Sequence, residues 1–311
     1  MKKIAYNQEQ KKRLDKFISE YFSKLETGQS RRFFQDEIKK GNIEVNNERK
    51  KPDYFLKEGD AITIKTTLKP REKPFLKPEK EKRFELIFEH PDFLIIDKPA
   101  NTSVHPSENE VAKTLVNSLL FYYPEIKNVG DNMLRPGIVH RLDKETSGLL
   151  IIARNQDSFQ YFKDLFKERK IEKVYQAIIW GQLKNKTGKI ESFIGKSGKN
   201  PSKQATGHQK EKLINPKEAL TKYKVLEEFK DSSLLEVDLK TGRKHQIRIH
   251  LHSIGHPVVG DKKYFNKLVK KANEKYPRHL LHAYKISFQY SNGKEYSFQS
   301  NKTIKTALDS A

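Results

Sequence analysis

The chain has 311 residues, room for one large domain or two. Lysine and arginine number 62 against 40 acidic residues, a formal net charge of +22. There is no cysteine, which excludes disulfides, thiolate metal sites and cysteine nucleophiles and fits a reducing compartment such as the cytoplasm.

Residues 11–66 read as a small module. Leu14, Phe17, Ile18 and Tyr21 or Phe22 recur at helical spacing. A second helix is expected from Ser30, a good N-cap, to Lys40, with Gly41 placed to end it. Ile43 and Val45, then Ala61–Ile64, alternate as short strands. Two helices followed by strands predict a small α/β RNA-binding fold, with Arg31, Arg32, Lys39 and Lys40 of one helix supplying phosphate contacts. A solvated helix face is the plainer reading of those four charges. Residues 67–83, with Pro70, Pro74 and Pro78 among many basic residues, read as an extended linker.

The texture changes at Phe84. Strands are predicted at 84–89, 93–97, 148–154, 174–180, 234–239 and 286–289, and helices at 112–122, 156–169 and 245–254. Several strands follow one another without a helix between them. The predicted class is therefore α+β: a mixed, largely antiparallel sheet with helices and loops packed around a central cleft, spanning 84–295. Residues 184–217, with nine lysines and two glutamates, read as a basic loop beside a groove, and 296–311 as a tail.

The positive excess is spread along the whole chain. A surface of that kind attracts polyanions and releases counterions on binding, so RNA is the expected partner. The aliphatic run Leu149–Ala153 is too short to span a bilayer, and the first ten residues hold no secretory signal. A cytoplasmic monomer without membrane contact is expected. No nucleotide-binding glycine motif occurs: Gly195-Lys196-Ser197 lacks the glycine a P-loop needs, since Ile190 stands there. Histidines 245, 250, 252, 256, 279 and 282 follow no familiar metal-ligand spacing, so no metal is expected.

Two segments carry candidate chemistry. In Arg135–Gly148, Asp143 stands between Arg141 and Lys144, whose charges favour the carboxylate. Such a group is a nucleophile or an electrostatic stabiliser; the alternative is a turn aspartate capping Thr146 or Ser147. In Thr241–His252, helical spacing places Ile247, Leu251 and Ile254 on a buried face and His245, Arg248 and His252 on another. Arg248 then points to one place and can meet a carboxylate there.

These residues resemble a known family. His140-Arg141-Leu142-Asp143-Lys144-Glu145-Thr146-Ser147-Gly148 resembles the signature of the RluA/RluD-type pseudouridine synthases. Lys173-Val174-Tyr175, Thr241–His250, Gly255-His256-Pro257, Gly260-Asp261 with Tyr264, and Leu281-His282-Ala283 match further motifs in the family's order. Residues 13–66 resemble the RNA-binding module named after ribosomal protein S4, and Arg135–Val139 is similar to the branch acting on large-subunit ribosomal RNA.

The resemblance implies a role for each position. Asp143 is the expected nucleophile, Tyr175 stacks on the target base, and Arg248 pairs with Asp143. Arg141, His140, Leu281, Lys173 and Arg243 hold the flipped nucleotide or shape its pocket. Uridine to pseudouridine is an isomerisation, so no cofactor is implied. Pre-ribosomal particles are possible partners, and a non-catalytic ribosome-assembly factor on the same fold is the competing reading.

Overall fold

The computed structural model describes residues 2–23, 31–65, 76–107, 110–198, 203–207 and 213–305. The chain forms two compact units, Met1–Phe75 and Leu76–Ala311.

The first unit contains β1 (Lys2–Ala5), β2 (Lys12–Arg13), α1 (Leu14–Ser23), α2 (Arg31–Lys40), β3 (Ile43–Val45), β4 (Phe55–Leu56) and β5 (Ala61–Ile64). One sheet has the order β1-β5-β3, and β2 pairs with β4. The apolar faces of both helices close over it, burying Leu14, Ile18, Phe22, Phe34 and Ile38 against Ile43, Ile62 and Ile64. Each such side chain contributes roughly 1.5–3 kcal/mol of burial. Gly41 ends α2 in a left-handed conformation, φ 80°, that glycine adopts without strain. Ser30 lies outside the described residues. The module starts earlier than residue 11, because β1 completes the sheet by pairing Ile4 with Ile62.

The second unit contains β6 (Glu85–Glu89), β7 (Phe93–Lys98), α3 (Leu115–Tyr122), β8 (Ser147–Ala153), α4 (Gln156–Glu168), β9 (Glu172–Trp180), β10 (Thr187–Ser197), β11 (Gln204–Gly207), β12 (Leu213–Glu228), β13 (Ser232–Leu239), α5 (Gln246–Ser253), α6 (Lys270–Asn273), β14 (Leu281–Gln289) and β15 (Glu295–Gln299). Among the described residues, one ten-stranded sheet has the order β11-β10-β12-β13-β9-β14-β8-β7-β6, with β15 also on β14. The β8–β14 pairing is parallel and the others are antiparallel.

Phe93–Ile96 of β7 and Leu149–Ala153 of β8 are continuous apolar runs because both faces of these strands are covered. Leu94, Ile96, Leu150 and Ile152 point into one core; Phe93, Ile95, Leu149 and Ile151 point into another. That is the two-residue period of a strand. Asn155 caps α4 by accepting the Ser158 N–H at 2.9 Å, and Arg169 ends it in a left-handed conformation.

Three expectations are corrected. Residues 76–83 are not a free linker: Leu76 packs on the core, Lys77 and Lys80 accept hydrogen bonds from Asn117 and Tyr122, and Glu79 donates to Asn117. Residues 67–75 of that stretch, with Pro70 and Pro74, lie outside the described residues. The segment 184–217 is largely strand, since β10, β11 and the start of β12 form an antiparallel ribbon exposed enough to need few apolar residues. Residues 199–202 and 208–212 lie outside the described residues. Residues 296–305 are no tail: β15 pairs with β14, Ile304 is buried, and Lys305 pairs with Glu227. Residues 306–311 lie outside the described residues.

Candidate active site

The centre of the sheet builds the site. Tyr175 lies on β9, and Leu281 opens the neighbouring strand β14. Asp143 sits on the loop entering β8, the strand on the other side of β14. Gly148 permits that parallel pairing. It has φ 115°, and a Cβ there would lie 2.3 Å from the Ala283 carbonyl oxygen. Arg248 comes from α5, so residues 105 positions apart in sequence meet.

The Asp143 side chain does not cap its own turn; the turn is closed by its backbone carbonyl, which accepts from Thr146 N–H at 3.1 Å. Its Oδ2 accepts from Arg248 Nη1 at 2.9 Å. The opposite edge of that guanidinium is held by Asp261, with Nε donating to Oδ2 at 2.7 Å and Nη2 to Oδ1 at 2.9 Å. Asp261 is fully buried and also accepts the backbone N–H groups of Lys263 and Tyr264. One arginine is thus clamped by one carboxylate and presents its remaining nitrogen to another.

Electrostatics keep Asp143 ionised. Burial raises its pKa, but His245 and Arg248 oppose it, and the carboxyl ends below its ordinary value. Burial holds His245 itself at about 4, so at neutral pH the lasting positive charge beside Asp143 is Arg248. Burial, reinforced by the Asp143 charge, raises the Tyr175 pKa, and its hydroxyl stays protonated.

A cavity of about 670 Å³ surrounds these groups. Arg141, Lys167, Arg169, Lys173, Lys240, Arg243, Lys244 and Arg248 line it, and Asp143 is the one lining carboxylate among the described residues. His140 and Leu281 also line it. His140 accepts the Ile151 N–H through Nε2 at 2.9 Å and stacks near Phe166, so it ties the loop to β8. Lys173 lies over the Phe166 ring, and Arg243 donates to the Glu218 carbonyl. In the first unit, Arg31, Arg32, Lys39 and Lys40 are all exposed on α2. Arg31 pairs with the buried Asp15 at 2.8 Å, and Lys40 pairs with Glu37 at 2.9 Å.

Helix α5 departs from the expected faces. His245 precedes it in a left-handed conformation, φ 58°, and Ile254 is exposed beyond its end. His245 is turned back so that Nδ1 meets the Tyr264 hydroxyl at 2.8 Å. Further residues support the site: Lys98 was not singled out from the sequence, and His279 and His282 were weighed there only as metal ligands or as part of a motif. Buried Lys98 donates to the carbonyls of Pro99, Thr102 and Lys144, and burial lowers its pKa to about 7. His279 meets the Thr146 hydroxyl at 2.7 Å, and His282 meets Ser147 at 2.9 Å. Among the described residues no group of three or more His, Asp or Glu side chains is placed to hold a metal ion. Among the described residues no helix is long and apolar enough to cross a membrane.

A sheet with a basic cleft around an ionised carboxylate and a buried tyrosine suits an enzyme that acts on a polyanion, and a separate small unit precedes it in the sequence. The sequence profile described as RNA pseudouridylate synthase matches residues 92–253, and the S4 domain profile matches 12–62. The chain belongs to the RNA pseudouridylate synthase family, isomerases that convert uridine to pseudouridine.

A relative from Aquifex aeolicus, named an uncharacterized RNA pseudouridine synthase, is 37% identical over 259 residues, covering 82% of this chain and 77% of its own. A relative from Neisseria meningitidis serogroup A, named ribosomal large subunit pseudouridine synthase D, is 34% identical over 270 residues, covering 84% and 69%. The solved structure of human RNA pseudouridylate synthase domain containing 1 superposes with a TM-score of 0.60 at 25% identity, covering 73% of this chain and 86% of that one.

Proposed function

We propose that this enzyme isomerises specific uridines of large-subunit ribosomal RNA, with Asp143 as the nucleophile on a flipped nucleotide. The observation that carries the catalytic part is the lone cleft carboxylate, ionised and aimed by Arg248 at 2.9 Å. The substrate rests on relatives from Neisseria meningitidis and Borreliella burgdorferi, both named ribosomal large subunit pseudouridine synthase D.

The reaction breaks the bond from N1 to C1′, turns the base, and joins C5 to C1′. The C5 proton leaves and N1 takes one up, so the isomerisation balances. A carboxylate supports the glycosidic cleavage, and a cavity screened from water retains the freed base. The uridine must first leave its stack, because its reacting atoms are inaccessible inside a helix. Tyr175 offers an aromatic face to the flipped base, and its protonated hydroxyl can give a proton but not take one. Leu281 bounds the base pocket. Arg141, Lys173 and Arg243 hold the nucleotide's phosphates, with His140 fixing the loop that carries Arg141. Arg31, Arg32, Lys39 and Lys40 supply the phosphate contacts of the first unit. The enzyme works as a cytoplasmic monomer on ribosomal RNA or a pre-ribosomal particle.

The test is tritium release from RNA labelled at uridine C5, with ribosomal and transfer RNA compared. Release from large-subunit RNA that disappears in Asp143→Asn, with RNA binding retained, is the expected result. Release from transfer RNA alone overturns the substrate. A ribosome-assembly role that survives Asp143→Asn, without any release, favours a non-catalytic factor.

A further inference from the structure

We infer that Asn273 is a positioning residue for the isomerisation: its side-chain amide pins the strap 258–264, which presents Asp261 to Arg248 and so aims Asp143. The inference rests on the reading of Asp143 as the nucleophile.

Asn273 closes α6, in a stretch that none of the family motifs quoted above covers, and it is 3% exposed. It does not line the cavity around Asp143. Its Oδ1 accepts the Gly260 N–H at 2.8 Å and the Trp180 indole N–H at 2.7 Å. Its Nδ2 donates to the Asp261 carbonyl at 3.0 Å. Two donors meet the oxygen and one acceptor meets the nitrogen, so the amide fits in one orientation only.

The strap needs such an anchor. Up to Val259 its backbone is tied to the sheet: the Val259 N–H donates to the Ile178 carbonyl at 2.8 Å, and the Leu280 N–H donates to the Val259 carbonyl at 2.8 Å. At Gly260 the chain turns away with φ 76°, and a Cβ there would lie 2.0 Å from the Arg278 carbonyl oxygen. Beyond that turn Asn273 takes over. It holds the Gly260 N–H and the Asp261 carbonyl, the two ends of the short segment that carries the Asp261 side chain.

The residue type matters. A carboxylate at 273 would accept the same two N–H groups but set a negative oxygen against the Asp261 carbonyl. An amide satisfies both demands. From Asp261 the contacts run to Arg248 Nε and Nη2, and from Arg248 Nη1 to Asp143 at 2.9 Å. Asn273 thus decides where the Asp143 carboxylate stands through two intervening side chains.

The test is Asn273→Ala in the full chain, with tritium release from RNA labelled at uridine C5 measured at saturating RNA and RNA affinity measured alongside. An ångström of misplacement can cost about a hundredfold in rate, so kcat is expected to fall about tenfold or more with affinity little changed. The control is Asn155→Ala, which removes the cap of α4 at a residue that does not line the cavity. It is expected to lower Tm with kcat unchanged. A merely structural role for Asn273 would move Tm in both variants and kcat in neither. Should Asn273→Ala fail to fold, Asn273→Asp keeps both accepted bonds, loses the donation to Asp261, and is expected to show the same loss of kcat. Normal kcat in whichever of the two folds overturns the inference, and so does an equal loss in Asn155→Ala. Tritium release that survives Asp143→Asn sinks the nucleophile reading itself, whereas a normal Asn273 variant beside an inactive Asp143→Asn sinks this inference alone.

Discussion

Replacing Asp261 with Asn separates the aiming of Asp143 from its chemistry. Asp261 takes two of the three Arg248 nitrogens, at 2.7 and 2.9 Å, and does not itself line the cavity. Asparagine keeps one acceptor but turns an amide N–H₂ toward a guanidinium N–H. One charge-assisted bond is lost, and a buried cation keeps only Asp143 as an anionic partner. Breaking a buried ion pair costs about 3–5 kcal/mol. Some of that returns as Arg248 shifts toward Asp143, so a stability loss of about 2–4 kcal/mol is expected. In a unit of this size each kcal/mol lowers Tm by about 2–4 °C, giving a fall of roughly 4–16 °C. The same shift displaces the nucleophile, and an ångström of misplacement can cost about a hundredfold in rate. Tritium release under saturating RNA should therefore show kcat lowered by about two orders of magnitude, with RNA affinity little changed. Thermal unfolding of the same preparation reads the stability. A folded Asp261→Asn enzyme with normal kcat would refute the argument that the clamp aims Asp143.

Tyr175→Phe keeps the ring and removes the hydroxyl; kcat is expected to fall about a hundredfold or more with unchanged RNA affinity, the usual range for lost acid–base help. An unchanged rate in tritium release rules out a role for the hydroxyl. Gly148→Ala drives a Cβ into the Ala283 backbone at 2.3–2.7 Å from a residue at φ 115°, so the β8–β14 pairing must open. A destabilisation of about 3 kcal/mol or more is expected by chemical denaturation, since overpacking and backbone strain add. Stability should also fall on acidification. His105, His250 and His282 have folded pKa values held by burial at about 4, against an ordinary 6.5. Groups with depressed folded values contribute stability above the unfolded pKa and lose it as pH falls toward the folded one. Tm should hold above about pH 6.5 and drop steadily toward pH 4. A flat Tm between pH 7 and 5 contradicts their burial as neutral rings.

Much of the chemistry was legible in one dimension. The motif around Asp143, the tyrosine at 175 and the helix carrying Arg248 are local patterns, and the strands at 85–89, 93–98, 147–153 and 172–180 announce themselves through apolar content. The exposed ribbon β10–β12 was hidden because its side chains are mostly solvated, and hydrophobic periodicity is silent there. Edge strand β15 was hidden because its five residues carry only Tyr296 and Phe298 as apolar signal, a pattern shorter than most strands show. His245 carries a left-handed backbone that helical spacing does not foresee.

The sequence by itself determined a polyanion-binding chain, a carboxylate among basic residues, and an arginine able to meet it. Only the tertiary structure decided what those groups do to one another. The order β9-β14-β8 brings Tyr175, Leu281 and the Asp143 loop together, because parallel pairing joins Ser147 and Gly148 to His282 and Ala283 across the fold. It also decided that Asp261 grips Arg248, that Lys98 and His279 brace the loop after Asp143, and that Arg141 rests on an imidazole rather than a carboxylate. Electrostatics at these distances depend on separation and burial, and chain spacing specifies neither.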